Sequence, residues 1–113
     1  MNGIYTVKQV NSYIKNMFTQ DFMLNRIYVK GEISNCKYHP SGHIYFSLKD
    51  ESGTIACVMF AGSRAGLSFT LKNGQRVIAF GSVSVYERDG KYQLYAREIK
   101  LDGAGELYEK FEA

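Results

Sequence analysis

Short stretches in which apolar and polar residues alternate occupy most of the chain, and turn residues separate them. Ile44, Phe46 and Leu48 fall on one face of such a stretch, while Tyr45 and Ser47 fall on the other. A period of two is that of a β-strand with one buried face. Five strands are predicted, the first running from Asn25 to a turn at 37–42 and the others lying at 43–49, 54–60, 75–86 and 91–101. The sequence therefore predicts an all-β domain.

The turns between the strands predict which strands are neighbours. Pro40-Ser41-Gly42 and Asp50-Glu51-Ser52-Gly53 are turn signals, and Arg88-Asp89-Gly90 carries the Asp-Gly pair of a tight hairpin. Gly31 and Gly81 interrupt strands, which marks the bulge or bend that a small barrel needs in order to close. This order of hairpins and connections predicts a five-stranded Greek-key barrel, the OB-fold. The facing of strand 54–60 stays open because nearly all of its residues are apolar, and one helical turn is predicted at 63–67.

Residues 1–24 are predicted to form a helical extension, ahead of a barrel at 25–101 and the start of a linker or helix at 102–113. Thr6 and Gln9 have the spacing of a capping box, and the helix should end near Asp21. Its apolar residues recur at helical spacing and form one stripe, namely Val7, Val10, Ile14, Met17 and Phe18. We expect this stripe to seal the core of the barrel.

The charge is unevenly distributed. Residues 102–113 contain four acidic residues and one lysine and therefore carry a net charge of −3. The preceding residues carry +6, which gives the total of +3. A basic body suits a polyanionic partner. The sequence shows neither a secretory signal nor the run of about 20 apolar residues that spans a membrane. We therefore expect a cytoplasmic protein that does not bind a membrane and keeps Cys36 and Cys57 reduced.

The titratable residues argue against a catalytic site in this chain. The acids are mostly single and lie in turns, where no nucleophile and base are brought together. One set has the composition of a zinc site, Cys36-x2-His39-x3-His43 with Cys57 as a fourth ligand. Its spacing is imperfect because both histidines flank a single turn. We expect no metal, no cofactor and two histidines in ordinary surface positions.

Tyrosines and cations of the predicted barrel suit single-stranded nucleic acid. Such strands are bound by cations that follow the phosphates and by rings on which bases stack. In OB-folds the binding face covers strands two and three, between the strand 1–2 and strand 4–5 loops. We expect the candidates to lie along one cleft; they are Lys37, Tyr38, His39, His43, Tyr45, Lys49, Tyr86, Arg88, Lys91, Tyr92, Tyr28, Lys30 and Arg64, joined by Phe60 if it faces outward. The alternative for each ring is cross-strand packing, which we favour for Tyr86 and Tyr92.

Three stretches of the chain resemble the N-terminal domain of the large subunit of bacterial exodeoxyribonuclease VII. They are YTVKQVNSYIK at 5–15, VKGEISNCKYHPSGHIYFSLKDE at 29–51 and GQRVIAFGSVSVYERDGKYQLYAREI at 74–99, and GAGELYEKFE at 103–112 fits as well. The resemblance implies an OB-type domain that engages single-stranded DNA. It also implies a later domain with the nuclease centre, helical segments that recruit small subunits, and a complete enzyme that degrades single-stranded DNA to oligonucleotides.

The resemblance implies DNA contacts but no catalytic residue in this chain. The matching positions are Lys30, Lys37, Tyr38, His43, Tyr45 and Lys49. The expected partners are single-stranded DNA, the remainder of the large subunit and the small subunits. A protein-interaction or oligomerisation domain without nucleic-acid contact stays open as the alternative, and so does the choice between DNA and RNA.

Overall fold

Five strands close into a barrel in the computed structural model, which describes residues 3–104. They are β1 (Ile27–Tyr38), β2 (Ile44–Lys49), β3 (Thr54–Met59), β4 (Arg76–Tyr86) and β5 (Lys91–Leu101). The order around the barrel is β1-β2-β3-β5-β4, and β4 pairs with β1 to close it. Neighbours are antiparallel except β3 and β5, which run parallel and meet at the pairs Cys57–Leu94 and Val58–Tyr95. This confirms the predicted OB-fold.

The alternation of apolar residues decides which side chains fill the barrel. Ile44, Phe46 and Leu48 of β2 are buried in the core, and Tyr45 between them faces outward. The structure also settles the facing of β3, which the sequence left open: Cys57 and Met59 point into the core. Val58 is buried on the outer side, between its cross-strand partners on β2 and β5.

Both glycines that were predicted to bend strands lie where two backbones approach closely. The register of β4 against β5 shifts at Gly81, and a Cβ there would overlap a carbonyl oxygen of β5. At Gly31 a Cβ would lie 3.1 Å from a carbonyl oxygen of β2, because β1 passes there from β4 to β2. The irregularity in the pairing of β1 with β2 lies further along, between Ser34 and Lys37, where Asn35 has a φ of 51°. Gly31 therefore permits a close approach and is not itself the bulge.

The N-terminal helix begins and ends where the sequence predicts. The helix α1 covers Val7–Gln20, with Thr6 as its N-cap and Asp21 as its C-cap. The Thr6 hydroxyl accepts the Gln9 N–H at 3.1 Å, and the Gln9 amide oxygen accepts the Thr6 N–H at 2.8 Å. The capping box is thereby confirmed.

The expectation that the apolar stripe of α1 seals the core is wrong. Val7, Val10 and Met17 are 78%, 44% and 56% exposed, and none of the fourteen described residues of α1 is fully buried. Phe18 packs against the core and is partly buried. The helical period shows that a helix has an apolar face, but it does not show which surface covers that face.

Polar contacts around Glu87 hold α1 to the turn between β4 and β5. Asn11 Nδ2 donates to the Glu87 carbonyl at 2.9 Å, and the Ser12 hydroxyl donates to the Glu87 carboxylate at 2.6 Å. Lys15 Nζ lies 3.4 Å from the same carboxylate. The hydrogen bond from Ser12, followed by that from Lys15, holds the pKa of Glu87 below its ordinary value. The helix thus fixes the strand 4–5 hairpin, one border of the expected binding face.

The remaining connections are short. A 3-10 helix at Ala61–Gly66 links β3 to the segment before β4 and confirms the predicted helical turn. A second 3-10 turn at Asp102–Ala104 follows β5, and the rest of the linker predicted at 102–113 lies outside the described residues. Among residues 3–104 there is no helix with the length and hydrophobicity to cross a bilayer.

Candidate nucleic-acid interface

A row of directly opposed residues crosses the outer face of four strands. Lys37 on β1 opposes Tyr45 on β2, Tyr45 opposes Val58 on β3, and Val58 opposes Tyr95 on β5. Directly opposed residues share one face of a sheet, and neighbouring strands lie about 4.8 Å apart, so the row is roughly 14 Å long. We call these four residues the front row. Val58 is 1% exposed and forms the floor between the two tyrosines.

Aromatic side chains surround Tyr45 at the end of the face that carries the strand 1–2 turn. The His39 and His43 ring centroids lie 6.1 and 6.5 Å from that of Tyr45, with both rings edge-on. Phe60 lies 5.2 Å from His43 and 5.7 Å from Tyr95. We call these five side chains the aromatic cluster. Tyr45 and Phe60 are each 44% exposed, so their rings offer surface on which a base can stack.

Hydrogen bonds orient both histidines of the aromatic cluster. His43 Nδ1 accepts the Ala61 N–H at 2.9 Å. His39 Nδ1 accepts the Ser41 N–H at 3.2 Å and lies 2.8 Å from the Ser41 hydroxyl. A neutral imidazole whose Nδ1 accepts a hydrogen bond carries its proton on Nε2. Each ring therefore presents its Nε2–H as a donor on the edge opposite to the anchored Nδ1.

Tyr95 is a member of the site that the sequence reasoning missed. Gln93 Nε2 donates to the Tyr95 hydroxyl at 2.8 Å and fixes its ring on the outer face. Alternation along β5 already put Tyr95 on the polar face, but only the strand order places β5 beside β3. Phe60 faces outward, so it meets the condition on which it was added to the candidate residues.

Tyr38 and Arg64 lie at the end of the barrel beside the front row. Tyr38 opposes the core residue Ile44, and its hydroxyl accepts the Leu71 N–H at 2.7 Å and donates to the Leu71 carbonyl at 3.0 Å. The Arg64 guanidinium lies 5.6 Å from the centroid of the Tyr38 ring and donates to the Gly42 carbonyl at 3.0 Å. Tyr38 therefore ties β1 to the segment before β4, and Arg64 sets a cation beside the aromatic cluster.

The candidates of the strand 4–5 hairpin divide between two faces. Tyr86 and Lys91 oppose each other, and alternation puts Lys91 on the same face of β5 as Tyr95, about 13 Å away. Arg88 is exposed in the turn. Tyr92 lies on the other face, where its ring centroid is 6.3 Å from that of Phe18, in line with the packing alternative.

Three further candidates do not join the front row. Lys49, at the far end of β2, lies 3.8 Å from the Glu32 carboxylate. Tyr28 and Lys30 lie on the outer face of β1 in the part that pairs with β4, and Tyr28 opposes Phe80 there. The expectation that all candidates line one cleft is therefore wrong, because β1 contributes its two ends to different parts of the barrel.

The cysteines and histidines considered as zinc ligands do not converge. Burial in the core raises the pKa of Cys57 to about 12, and partial burial also raises the pKa of Cys36. His43 Nδ1 is engaged by a backbone N–H. Within residues 3–104, His, Cys, Asp and Glu side chains form no group of three or more that could share a metal ion. Cys36 and Cys57 are free thiols.

Comparison with known proteins identifies relatives over nearly the whole chain. Residues 5–100 match the family described as an OB-fold nucleic acid binding domain. The chain is 71% identical over 112 residues to an exodeoxyribonuclease 7 large subunit of Lachnoclostridium phytofermentans, which is 99% of this chain and 28% of that protein. It is 57% identical over 107 residues to the corresponding protein of Clostridium botulinum, which is 95% of this chain and 27% of that protein. The chain thus spans little more than a quarter of the curated relatives it matches.

Solved structures share the fold at low sequence identity. A replication protein A heterotrimer bound to single-stranded DNA has a TM-score of 0.58 at 13% identity, covering 80% of this chain and 69% of that one. An asparaginyl-tRNA synthetase from Pyrococcus horikoshii has a TM-score of 0.55 at 16% identity, covering 69% of this chain and 20% of that one. At these identities the likeness supports the barrel architecture alone.

Proposed function

Since the chain belongs to the family of OB-fold nucleic acid binding domains, in the form found in exodeoxyribonuclease 7 large subunits, we propose that it binds single-stranded DNA across the front row and the aromatic cluster. The observation that carries this proposal is the row itself. Two tyrosines stand on either side of a buried valine, with Lys37 at the end of the row. Each base stacked on such a ring contributes about 1–3 kcal/mol, and lysine or arginine beside the rings meets the phosphates.

The geometry favours an unpaired strand over a duplex. A base presents its flat face to a protein ring only when it is unstacked from its neighbours, and a duplex keeps those faces inside. Tyr45 and Phe60 offer exposed ring surface at the centre of the site, whereas the cations lie at its edge. Stacking accepts any base, so sequence preference should be slight.

In the whole protein we infer that the domain presents the strand to a nuclease centre located elsewhere in the large subunit. The relatives are named as large subunits of an exodeoxyribonuclease, and about 70% of their length lies outside the matched region. The full assembly, with its small subunits, would degrade single-stranded DNA to oligonucleotides. Binding as described needs no metal or cofactor, and two free thiols, Cys36 and Cys57, suit the cytoplasm.

A fluorescence titration with oligothymidylate tests the binding proposal. Tyr45→Ala should weaken binding by about 5-fold to 150-fold, the equivalent of one lost stacking contact, whereas Tyr45→Phe should bind like the wild type. Lys37→Ala should lower the slope of log affinity against log salt by about 0.7, the value for one phosphate contact on a single strand. Tyr13→Ala is the matched control, because this tyrosine is 66% exposed on α1, away from the row.

Two results would contradict the proposal. One is binding by Tyr45→Ala that equals that of the Tyr13→Ala control. The other is an affinity that does not fall with salt. Thermal unfolding of each variant shows whether the barrel is intact, and Tyr45 is exposed enough for its removal to leave the fold in place.

Cleavage assays test whether the chain acts alone as a nuclease. Incubation with single-stranded DNA and a divalent metal should leave the DNA intact, because the described His, Cys, Asp and Glu side chains form no group of three or more that could hold a metal ion. Product formation that persists through repurification and disappears on heat denaturation would show the opposite.

A protein-interaction domain is the second candidate, and the exposed stripe on α1 favours it. Val7, Val10 and Met17 present apolar surface that the barrel does not cover. An interaction domain of this kind should self-associate or bind another subunit with little dependence on salt. Sedimentation of the chain at increasing concentration separates the readings, since a monomer with a salt-dependent DNA affinity fits only the first.

A further inference from the structure

A second aromatic surface lies on the outer face of β1 and β4, away from the front row. Tyr28 is 73% exposed, and its ring centroid lies 4.7 Å from that of its cross-strand partner Phe80. The guanidinium groups of Arg26 and Arg97 lie 5.7 and 5.1 Å from the centroid of the Phe80 ring. We call these four residues the back platform. Like the front row and the aromatic cluster, it combines an exposed ring, that of Tyr28, with adjacent cations.

The face that carries the back platform has more basic than acidic side chains. Glu98 opposes Phe80 on β5. In the described part of the chain, however, the ion pairs are formed by Lys15 with Glu87 and by Lys49 with Glu32, so neither arginine is paired with a carboxylate. The next row of the same face adds two lysines, since Lys30 on β1 and Lys100 on β5 both oppose Ile78. This face is therefore suited to a polyanion.

A cleft of about 250 Å³ joins the back platform to the aromatic cluster. Tyr95 opposes Ser82 on β4, which extends the front row by one strand toward β1. Arg97 follows Tyr95 by two residues on β5, and its guanidinium donates to the Asn25 carbonyl at 2.9 Å. The side chains that line the cleft come from both surfaces and from the space between them, namely Asn25, Phe60, Ser63, Ser82, Tyr95, Ala96 and Arg97.

We propose that the back platform is a second stacking site for the same single-stranded DNA, which passes from the aromatic cluster through the cleft and around the barrel to Tyr28. This inference rests on the proposed function of the front row. The path crosses five strand spacings from Lys37 to the start of β1, or about 24 Å at the backbone. One base stacks on the Tyr28 ring, and the guanidinium groups of Arg26 and Arg97 contact the adjacent phosphates.

Probe length separates the two sites. Oligothymidylates of about 4 and about 12 nucleotides fall within the range that OB-folds cover, and only the longer one can follow the whole path from Lys37 to Tyr28. Tyr28→Ala should weaken binding of the 12-mer at least about fivefold and leave binding of the 4-mer within about twofold. Tyr28→Phe should keep the affinity for both probes, Tyr45→Ala should lose affinity for both, and Tyr13→Ala should change neither.

Chemical-shift mapping gives a second readout that does not depend on a variant. The 12-mer should perturb the resonances of Tyr28, Phe80 and Arg97 in addition to those of the front row, and the 4-mer should perturb the front row alone.

Each outcome decides between the two proposals. If Tyr28→Ala leaves the affinity for the 12-mer unchanged while Tyr45→Ala still weakens it, the back platform is overturned and binding at the front row stands. Equal weakening of both probes by Tyr28→Ala also overturns it, because the platform would then not lie at the end of a longer path. A wild-type chain that binds neither probe overturns the proposed function, and the second site falls with it.

Discussion

Replacing Gly81 by alanine tests whether close packing of β4 on β5 holds the barrel and its binding surface together. The added Cβ overlaps the carbonyl oxygen of Tyr95 and lies 3.0 Å from Cα of Ala96. The two strands must therefore separate by roughly 1 Å, since interiors are close-packed. Overpacking costs about 1–3 kcal/mol, and a weakened backbone hydrogen bond adds about 0.5–1.5 kcal/mol. We expect the free energy of unfolding to fall by about 2–4 kcal/mol, which lowers Tm by roughly 10–30 °C.

Urea and thermal unfolding, followed by circular dichroism, measure this loss. Gly53→Ala is the matched control, because its φ lies outside the left-handed region and, in the described part of the chain, nothing is within 4 Å of the added Cβ. The control should stay within about 0.5 kcal/mol of the wild type. Below its transition, Gly81→Ala should also bind oligothymidylate more weakly, because Tyr95 moves with β5. Equal unfolding midpoints for Gly81→Ala and Gly53→Ala would refute the reasoning.

Three further predictions concern single contacts. Tyr38→Phe removes the hydroxyl that bonds both the amide and the carbonyl of Leu71, so the free energy of unfolding measured in urea should fall by about 1–3 kcal/mol; an unchanged midpoint would contradict this. The pKa of Glu87 is lowered, first by the Ser12 hydroxyl, so its contribution to holding α1 is complete above the ordinary glutamate pKa and is lost as pH falls through the lowered value. Amide exchange in α1 should therefore differ between the wild type and Glu87→Gln at neutral pH, and this difference should vanish in acid. Cys57 has a pKa of about 12, so about one thiol in ten thousand is ionised at pH 8 and a disulfide reagent should react with it only on unfolding.

Local signals in the sequence predicted most of the fold because they are short-range. The Thr6–Gln9 capping box and the Asp89–Gly90 turn each need only neighbouring residues, and both occur as predicted, with Gly90 at a φ of 66°. Alternation along β2 fixed the facing of Tyr45 for the same reason. The five strand positions followed from these signals together.

Features that depend on which elements meet in space were not predictable in this way. Tyr95 belongs to the site because β5 lies beside β3, although β4 separates them in sequence. Val58 is buried on the outer face by its neighbours, whereas alternation alone would expose it. Tyr28 was expected beside Tyr45, but β1 bends between them and pairs with β4 at one end and β2 at the other. The periodicity of α1 predicted that the helix has an apolar face, but it did not predict which surface covers that face.

The parallel pairing of β3 with β5 is the shortest of the five ladders, with two partner pairs, and we call it the seam of the barrel. Tyr45 and Tyr95 stand on opposite sides of this seam, and Val58 lies in it. A DNA strand whose bases stack on both rings bridges β3 and β5, the two neighbouring strands that the fewest backbone pairs hold together. DNA binding and the pairing of β3 with β5 are then coupled. Separation of these two strands would weaken DNA binding while the five strands keep their secondary structure.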